Sequence, residues 1–317
     1  MALTRSGREE AGVDPMTDTY WAATVSIDHE AAEAVTNFLW EAGATGVVEE
    51  AAGGTTLLRA FFPPGTDPAE LRERVAGYLE TLRALALPVG PGAVDVTPVR
   101  DEAWAEAWRA HFHPVPVGRR LVVCPPWEAL PVPPDGPAGP RVVIVIEPGR
   151  AFGTGGHATT RGCLELVEWT LGVTPAERVL DVGTGSGILA IAAARLGASE
   201  VLAIDVDPDA VLAARANAVR NAVADRVRVE LGSLDGCPEG AHDLVLANLL
   251  GPTLVTLAPT LARCGASRAR LVLGGLLVQE LPPVVASFAP EGFTLVEALE
   301  RESWATLLLA RDGQGRA

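Results

Sequence analysis

The chain has 317 residues, of which 48% are hydrophobic, and its formal net charge at pH 7 is −15. At about 100–200 residues per domain, this length predicts two domains, and the apolar content excludes intrinsic disorder. A charge this negative argues against nucleic acid as the main partner, because affinity for polyanions depends largely on cationic side chains at the phosphates. A basic protein or a small molecule fits the charge better.

The composition also bears on location. All 25 basic residues are arginines, which codon usage in a GC-rich genome explains. The four cysteines are far apart, with no Cys-x-x-Cys pair and no histidine at ligand spacing, so a reducing compartment and no metal site are expected. No apolar run is long enough for a membrane span and no secretory signal is visible, which favours a cytoplasmic protein without membrane contact. Residues 1–18 are expected to form an N-terminal extension.

Residues 19–100 have the pattern of a small α+β domain. Apolar alternation predicts strands at 21–27, 46–50, 56–62 and 93–99, and helical spacing predicts helices over 29–41 and after Asp67. Asp67 and Pro68 are expected as the N-cap and first residue of the second helix, with one face formed by Leu71, Val75, Tyr78 and Leu82. The order strand, helix, strand, strand, helix, strand predicts a ferredoxin-like domain.

Residues 101–141 are expected to form a linker. Trp104 and Trp108 would share one face of a short helix, and between Pro125 and Pro140 seven of sixteen residues are proline, which neither a helix nor a central strand tolerates. Packing between linker and domain is the preferred interpretation of the tryptophans over contact with a substrate.

From residue 142 to 317, strands and helices are predicted to alternate. Short apolar segments at 178–182, 201–205, 227–231, 243–248 and 270–274 predict a buried parallel sheet with helices on both faces. Segments 293–298 and 304–310, joined by a short charged turn, predict a closing antiparallel hairpin.

The strongest functional pattern follows the first strand of this sheet. Asp181 is followed by Gly183, Gly185 and Gly187, and then by a helix. Glycines allow a sharp turn and close approach of a ligand, and the helix N-terminus favours a negative group. The loop alone fits a dinucleotide or a nucleoside cosubstrate, but the spacing is not that of the dinucleotide fingerprint, in which the third glycine comes three positions after the second. Asp205, 24 residues beyond Asp181, ends the next strand, where a carboxylate can bind ribose hydroxyls.

These residues resemble those of Rossmann-like methyltransferases that use S-adenosylmethionine. A second glycine-rich segment, residues 147–160, resembles the Pro-Gly-x-Ala-Phe-Gly-Thr-Gly-x-His-x-Thr-Thr pattern of the bacterial methyltransferases that modify ribosomal protein L11. The resemblance extends from about residue 20 to 311, through Trp104 and Trp108, residues 181–191 and 204–208, and the Asn248-Leu-Leu segment. It implies methylation of lysine side chains and the N-terminal amine of a basic ribosomal protein, which the ferredoxin-like domain would recognise.

The resemblance also implies functional residues. Contact with S-adenosylmethionine is implied for the following positions: Phe152, Thr154, Thr160, Asp181, Gly183, Gly185, Gly187, Asp205 and Asn248. Asn248 ends the fourth strand of the sheet, where its amide could orient the incoming amine, although asparagine is also an ordinary turn former. His157 is either a general base or a structural ring, and both interpretations stay open.

Two departures qualify the resemblance. Ser233 stands after the third strand, where many related enzymes have an acidic contact to adenine. Asn248 is followed by Leu-Leu-Gly-Pro rather than Pro-Pro-Tyr or Pro-Pro-Phe, which argues against methylation of glutamine or of nucleobase amino groups.

The residues also leave functions other than methylation of a ribosomal protein open. A methyltransferase acting on lysines of another protein or on a small molecule is the chief rival, followed by a nicotinamide-dependent oxidoreductase and a non-catalytic binding protein. The first hundred residues carry 15 acidic and 7 basic side chains, a net of −8, which suits a recognition domain for a basic protein.

Overall fold

The computed structural model describes residues 19–52, 55–84, 87–99, 112–128, 139–148, 153 and 155–311. The chain divides into two compact units between residues 111 and 112. Within the described residues, none of the helices is both long and apolar enough to cross a membrane. The N-terminal extension, Trp104 and Trp108 lie outside the described residues.

The described residues of the first unit form one four-stranded sheet and two helices. Its strands are β1 (Tyr20–Asp28), β2 (Gly46–Ala52), β3 (Thr55–Phe62) and β4 (Ala93–Val99), and its helices are α1 (Ala32–Glu41) and α2 (Pro68–Ala84). The strand order is β2-β3-β1-β4 with every pair antiparallel. This arrangement confirms the ferredoxin-like fold.

The second helix begins as the sequence predicts but packs differently at one position. The Asp67 carboxylate accepts hydrogen bonds from the backbone N–H groups of Ala69 and Glu70, and Pro68 is the first helical residue. Leu79, rather than Tyr78, belongs to the fully buried face. Tyr78 instead stacks on Phe38 of α1 at a centroid distance of 4.2 Å, since an aromatic ring with a polar hydroxyl is favoured at the edge of a core.

The second unit begins with a small sheet that the sequence analysis missed. Strands β5 (Val115–Val117) and β6 (Leu121–Cys124) lie within the predicted linker and pair with each other, and β6 also pairs with β7 (Val142–Val145). The division of the chain therefore comes before the proline-rich segment, although the full extent of the linker stays a prediction. Strands β5 and β6 are too short to show a clear alternation of apolar and polar residues. The parallel partner of β6, strand β7, follows about twenty residues later in the sequence.

A seven-stranded sheet forms the centre of the second unit. Its strands are β8 (Arg178–Val182), β9 (Glu200–Asp205), β10 (Val227–Leu231), β11 (His242–Asn248), β12 (Gly265–Leu277), β13 (Phe293–Arg301) and β14 (Trp304–Arg311). The order is β10-β9-β8-β11-β12-β14-β13, in which the first five strands are parallel and the last two form the antiparallel hairpin. The Rossmann-like sheet and its closing hairpin are thus confirmed.

Five helices cover the two faces of this sheet. They are α3 (Ala158–Val173), α4 (Ile188–Arg195), α5 (Pro208–Arg220), α6 (Gly251–Cys264) and α7 (Leu281–Phe288). Successive residues of β11 point to opposite faces: Leu244 and Leu246 pack with α3, α4 and α5, whereas Val245 and Ala247 pack with α6 and α7. Residues 188–194 of helix α4 are all apolar and buried, and four of these seven residues are alanines, which lets the helix pack closely against the sheet.

Candidate functional site

The parallel strands place the predicted functional residues along one edge of the sheet. Strand β8 leads to β9 on one side, while β11 lies on its other side, so the chain reverses its direction of winding between β8 and β11. In open α/β sheets, ligands bind beyond the carboxyl ends of the strands at such a switch point. Val182 and Asn248 end the two strands that flank it.

Residues 183–187, called the glycine loop below, turn sharply from β8 into α4. The backbone N–H groups of Gly183 and Thr184 both donate to the carbonyl of Ile204, at 2.9 and 3.1 Å. Gly183 has φ +67°, and a Cβ there would lie 2.6 Å from Cδ2 of Leu249. Gly187 has φ +82° with Ala214 of α5 directly beside it. Both glycines are therefore required by their backbone conformation and by the lack of space for a side chain.

Asp181 forms hydrogen bonds with the glycine loop and with the helix that follows it. Its Oδ2 accepts hydrogen bonds from the Thr184 hydroxyl at 2.6 Å and from the backbone N–H of Ala190 at 3.1 Å. Burial raises the pKa of this carboxyl to about 6, against the lowering effect of the two hydrogen bonds. Only 1% of the residue is exposed. Asp181 therefore sets the conformation of the loop, and its contact with a ligand stays a prediction.

Asp205 ends β9 and faces the glycine loop. Its Oδ2 accepts the N–H of Gly185 at 2.9 Å, and its Oδ1 accepts the N–H of Asp207 at 3.0 Å. Each carboxylate oxygen retains a further lone pair for a ligand hydroxyl. The structure thus brings Asp205 and the loop together, as expected from their spacing.

Two apolar residues at this edge were missed by the sequence analysis. Val206 follows Asp205 and is 74% exposed, and Leu231, at the end of β10, is 59% exposed. An exposed apolar side chain directly after an acidic residue at a strand end is the pattern that could have revealed them. Ser233 caps a short turn, and its hydroxyl donates to the Asp235 carboxylate at 2.7 Å.

The second glycine-rich segment, residues 147–160, is called the signature loop below. The carbonyl of Gly153 accepts a hydrogen bond from the Ser186 hydroxyl at 2.6 Å, so the two loops are in direct contact. Phe152 and Thr154 lie outside the described residues, and their predicted roles stay predictions.

His157 forms the N-cap of α3. Its Nδ1 accepts the backbone N–H of Thr159 at 3.4 Å and lies 2.8 Å from the Thr159 hydroxyl. The ring also packs edge-on against Trp304, with centroids 5.0 Å apart. These contacts give the ring a structural role, whereas its action as a general base stays a prediction.

Thr160 and Asn248 each place a buried oxygen without a partner among the described residues. These atoms are the Thr160 hydroxyl and Oδ1 of Asn248. A buried polar atom without a hydrogen bond is costly, so both atoms are suited to partners that a ligand would supply. Thr160 lies three residues before Cys163 on α3, and positions three apart are neighbours on a helix surface.

Gly274 of β12 separates Asn248 from Cys163. A Cβ at Gly274 would lie 2.9 Å from Oδ1 of Asn248 and 2.5 Å from Sγ of Cys163. The sulfur is fully buried, which raises the pKa of the Cys163 thiol well above its usual value and keeps the thiol neutral. Gly274 was not among the predicted site residues, although two successive glycines inside a strand indicate a close approach by another part of the chain.

The donor groups at this edge fit a nucleoside cosubstrate. They comprise a glycine loop, the Asp205 carboxylate bonded to that loop, exposed apolar residues and two buried oxygens without a partner among the described residues. In the part of the chain that the structure describes, no three histidine, cysteine or acidic side chains are grouped as a metal site would require.

Comparison with known proteins gives matches over nearly the whole chain. The family model described as ribosomal protein L11 methyltransferase (PrmA) matches residues 19–312. The ribosomal protein L11 methyltransferase of Geobacter sulfurreducens is 43% identical over 260 residues, which cover 82% of this chain and 83% of the relative. The same enzyme of Pelobacter propionicus is 36% identical and covers 93% of this chain and 99% of the relative. The crystal structure of ribosomal protein L11 methylase from Lactobacillus delbrueckii subsp. bulgaricus has a TM-score of 0.55 at 31% identity, covering 63% of this chain and 98% of that one.

Proposed function

This chain belongs to the ribosomal protein L11 methyltransferase (PrmA) family, and we propose that it transfers methyl groups from S-adenosylmethionine to amino groups of ribosomal protein L11. The amino groups are lysine side chains and the N-terminal amine. The observation that carries this proposal is the pair of buried oxygens of Thr160 and Asn248 that have no partner among the described residues, in a chain matched by the family model from residue 19 to 312; Asn248 ends the strand that pairs with β8, directly before the glycine loop.

Each part of the edge has a role toward the cosubstrate. The glycine loop would hold the methionine part, and the free lone pairs of Asp205 would bind the ribose hydroxyls. Val206 and Leu231 offer apolar surface for the adenine ring. The Thr160 hydroxyl would satisfy its missing hydrogen bond with the cosubstrate.

S-adenosylmethionine supplies an activated methyl group on a positively charged sulfur. The acceptor amine must arrive neutral and aligned, so the protein's task is to orient the nitrogen and exclude water. A lysine amine has an ordinary pKa near 10.4, and removal from water favours its uncharged form. Oδ1 of Asn248 would accept a hydrogen bond from the amine and direct its lone pair. His157 would assist the loss of the proton or serve only as a cap.

The transfer is proposed to need no metal ion, because the S–CH3 bond of the sulfonium breaks to release a neutral thioether, S-adenosylhomocysteine, which is already a good leaving group. The site of action would be the cytoplasm, where ribosomal proteins are made. The acidic first unit would bind the basic substrate, since the first hundred residues carry a net charge of −8.

The test is incubation of the full chain with methyl-labelled S-adenosylmethionine and a bacterial ribosomal extract, followed by mass identification of the labelled product. Label on amino groups of L11 is expected. Label on another protein would preserve the chemistry and overturn the substrate, and label only in RNA or small metabolites would overturn the protein-substrate proposal. A parallel reaction with EDTA should proceed at the same rate.

A further inference from the structure

Helix α5 and its C-cap residue contain two asparagines that are almost completely buried. Asn217 and Asn221 are 2% and 4% exposed and lie one helical turn apart. An amide buried at this depth is stabilising only where its hydrogen bonds are made. Both amides form hydrogen bonds with backbone groups far away in sequence as well as with a group of the helix itself.

The side chain of Asn217 bridges the two ligand loops. Its Nδ2 donates to the carbonyl of Ser186 in the glycine loop at 2.9 Å. Its Oδ1 accepts the backbone N–H of Glu147, at the start of the signature loop, at 3.2 Å, and an N–H of Arg220 at 2.8 Å. The Asn217 side chain therefore fixes the start of the signature loop, at Glu147, relative to the glycine loop.

Ser186 provides a second connection between the same loops. Its hydroxyl donates to the carbonyl of Gly153 at 2.6 Å, while its own carbonyl accepts from Asn217. The signature loop is thus linked to Ser186 at two points, through Asn217 at Glu147 and directly at Gly153. Arg220 adds an ion pair to the Glu147 carboxylate, which supports the first of these points.

Asn221 makes an equally complete set of bonds to a different target. Its Oδ1 accepts the N–H of Val145 at 2.8 Å, and its Nδ2 donates to the carbonyl of the same residue at 2.7 Å. The amide thereby replaces a neighbouring strand along the outer edge of β7. Its other bond goes to the backbone carbonyl of Asn217, and among the described residues its amide forms no hydrogen bond with the glycine loop.

We propose that Asn217 is a positioning residue that holds the glycine loop and the signature loop in their binding arrangement before S-adenosylmethionine arrives. This inference rests on the proposed function. A ligand gains affinity when the groups that contact it are ordered in advance, because the cost of ordering them no longer opposes binding. Asn217 touches no reacting atom, so its loss affects the binding of the cosubstrate rather than the methyl transfer.

The experiment compares three variants of the full chain: Asn217→Leu, Asn217→Asp and, as the matched control, Asn221→Leu. Each leucine variant leaves one backbone N–H and one carbonyl without a partner, in the same helix and at similar burial. Asn217→Asp keeps the acceptor for Glu147 and Arg220 but loses the donor to Ser186. The dissociation constants for S-adenosylmethionine and S-adenosylhomocysteine are measured by calorimetry, and kcat and KM are measured with L11.

Both Asn217 variants are expected to weaken binding of both nucleosides about tenfold, with kcat at saturating cosubstrate within about threefold of wild type. Asn221→Leu should lower thermal stability similarly while changing both dissociation constants less than about twofold. Equal weakening by Asn221→Leu, or wild-type binding by Asn217→Asp, would overturn the inference. If Asn217→Leu does not fold, Asn217→Asp decides. A wild-type chain that fails to bind S-adenosylmethionine would instead refute the proposed function itself.

Discussion

The spacing around Gly274 makes the substitution Gly274→Ala a sharp test of the site. The backbone at Gly274 has no positive φ, so the strand conformation itself accepts alanine. The new methyl group would lie 2.5 Å from Sγ of Cys163 and 2.9 Å from Oδ1 of Asn248, both closer than atoms in contact normally approach. Cys163 is fully buried on a helix and cannot rotate into solvent, whereas Asn248 is partly exposed at the end of a strand, so its amide would be displaced.

Overpacking of this kind costs about 1–3 kcal/mol. Replacement of glycine also reduces the freedom of the unfolded chain, which returns about 0.4–1 kcal/mol. The difference between these ranges is about 0–2.6 kcal/mol, and we expect the free energy of unfolding to fall by about 1.3 kcal/mol, the middle of that range. The displaced Asn248 amide should lower kcat on L11 by tenfold or more, because misplacement of a positioning group by an ångström has effects of this size.

A double-mutant cycle with Cys163→Ala separates the two clashes. Alone, Cys163→Ala should destabilise the second unit by about 1 kcal/mol through the lost packing. In the Gly274→Ala background it should stabilise the protein, because it removes the clash with the sulfur, while kcat stays low because the clash with Asn248 remains.

The assays are urea denaturation and initial-rate kinetics with L11. Gly172→Ala is the control, since Gly172 lies exposed on the same helix as Cys163 with open space around it, and this substitution should stabilise the helix slightly. Wild-type stability and turnover in Gly274→Ala would show that the close approach of β12 to Asn248 does not shape the site.

Three further outcomes are expected. Burial raises the pKa of Asp181 to about 6 in the folded chain, so the stability that this carboxyl contributes is largest below pH 4 and is lost as pH rises through 6. In urea denaturation, the free energy of unfolding of the wild type should therefore fall by up to about 3 kcal/mol relative to that of Asp181→Asn between pH 4 and 6. The same pH dependence in both proteins would contradict this. Asn248→Ala should lower kcat by about 100-fold while the chain still binds S-adenosylhomocysteine, and full turnover would remove the role assigned to the amide. KM for L11 should rise several-fold with added salt while the dissociation constant for S-adenosylmethionine changes little, whereas equal responses would argue against recognition through the acidic first unit.

The sequence by itself determined the elements whose patterns are local. Alternating and helical spacing located the strands on either side of the glycine loop, because burial of one face leaves a regular trace in neighbouring residues. The glycine loop was also recognisable from the sequence, because its three glycines and the acidic residues at two strand ends lie within 25 positions. The confirmed fold of both units follows from the order of these elements.

Tertiary structure decided the contacts between distant segments. Strand β12 runs from Gly265 to Leu277 rather than over the predicted 270–274, because it is extended by pairing with β11 and β14. The hydrogen bond between Asn217 and Glu147 joins residues 70 positions apart. The residues next to Asn217 in the sequence form no pattern that would predict this bond. The fit of Gly274 between Asn248 and Cys163 likewise exists only once α3, β11 and β12 are packed together. Periodicity reports which face of an element is buried, but it carries no information on which distant group will meet that face.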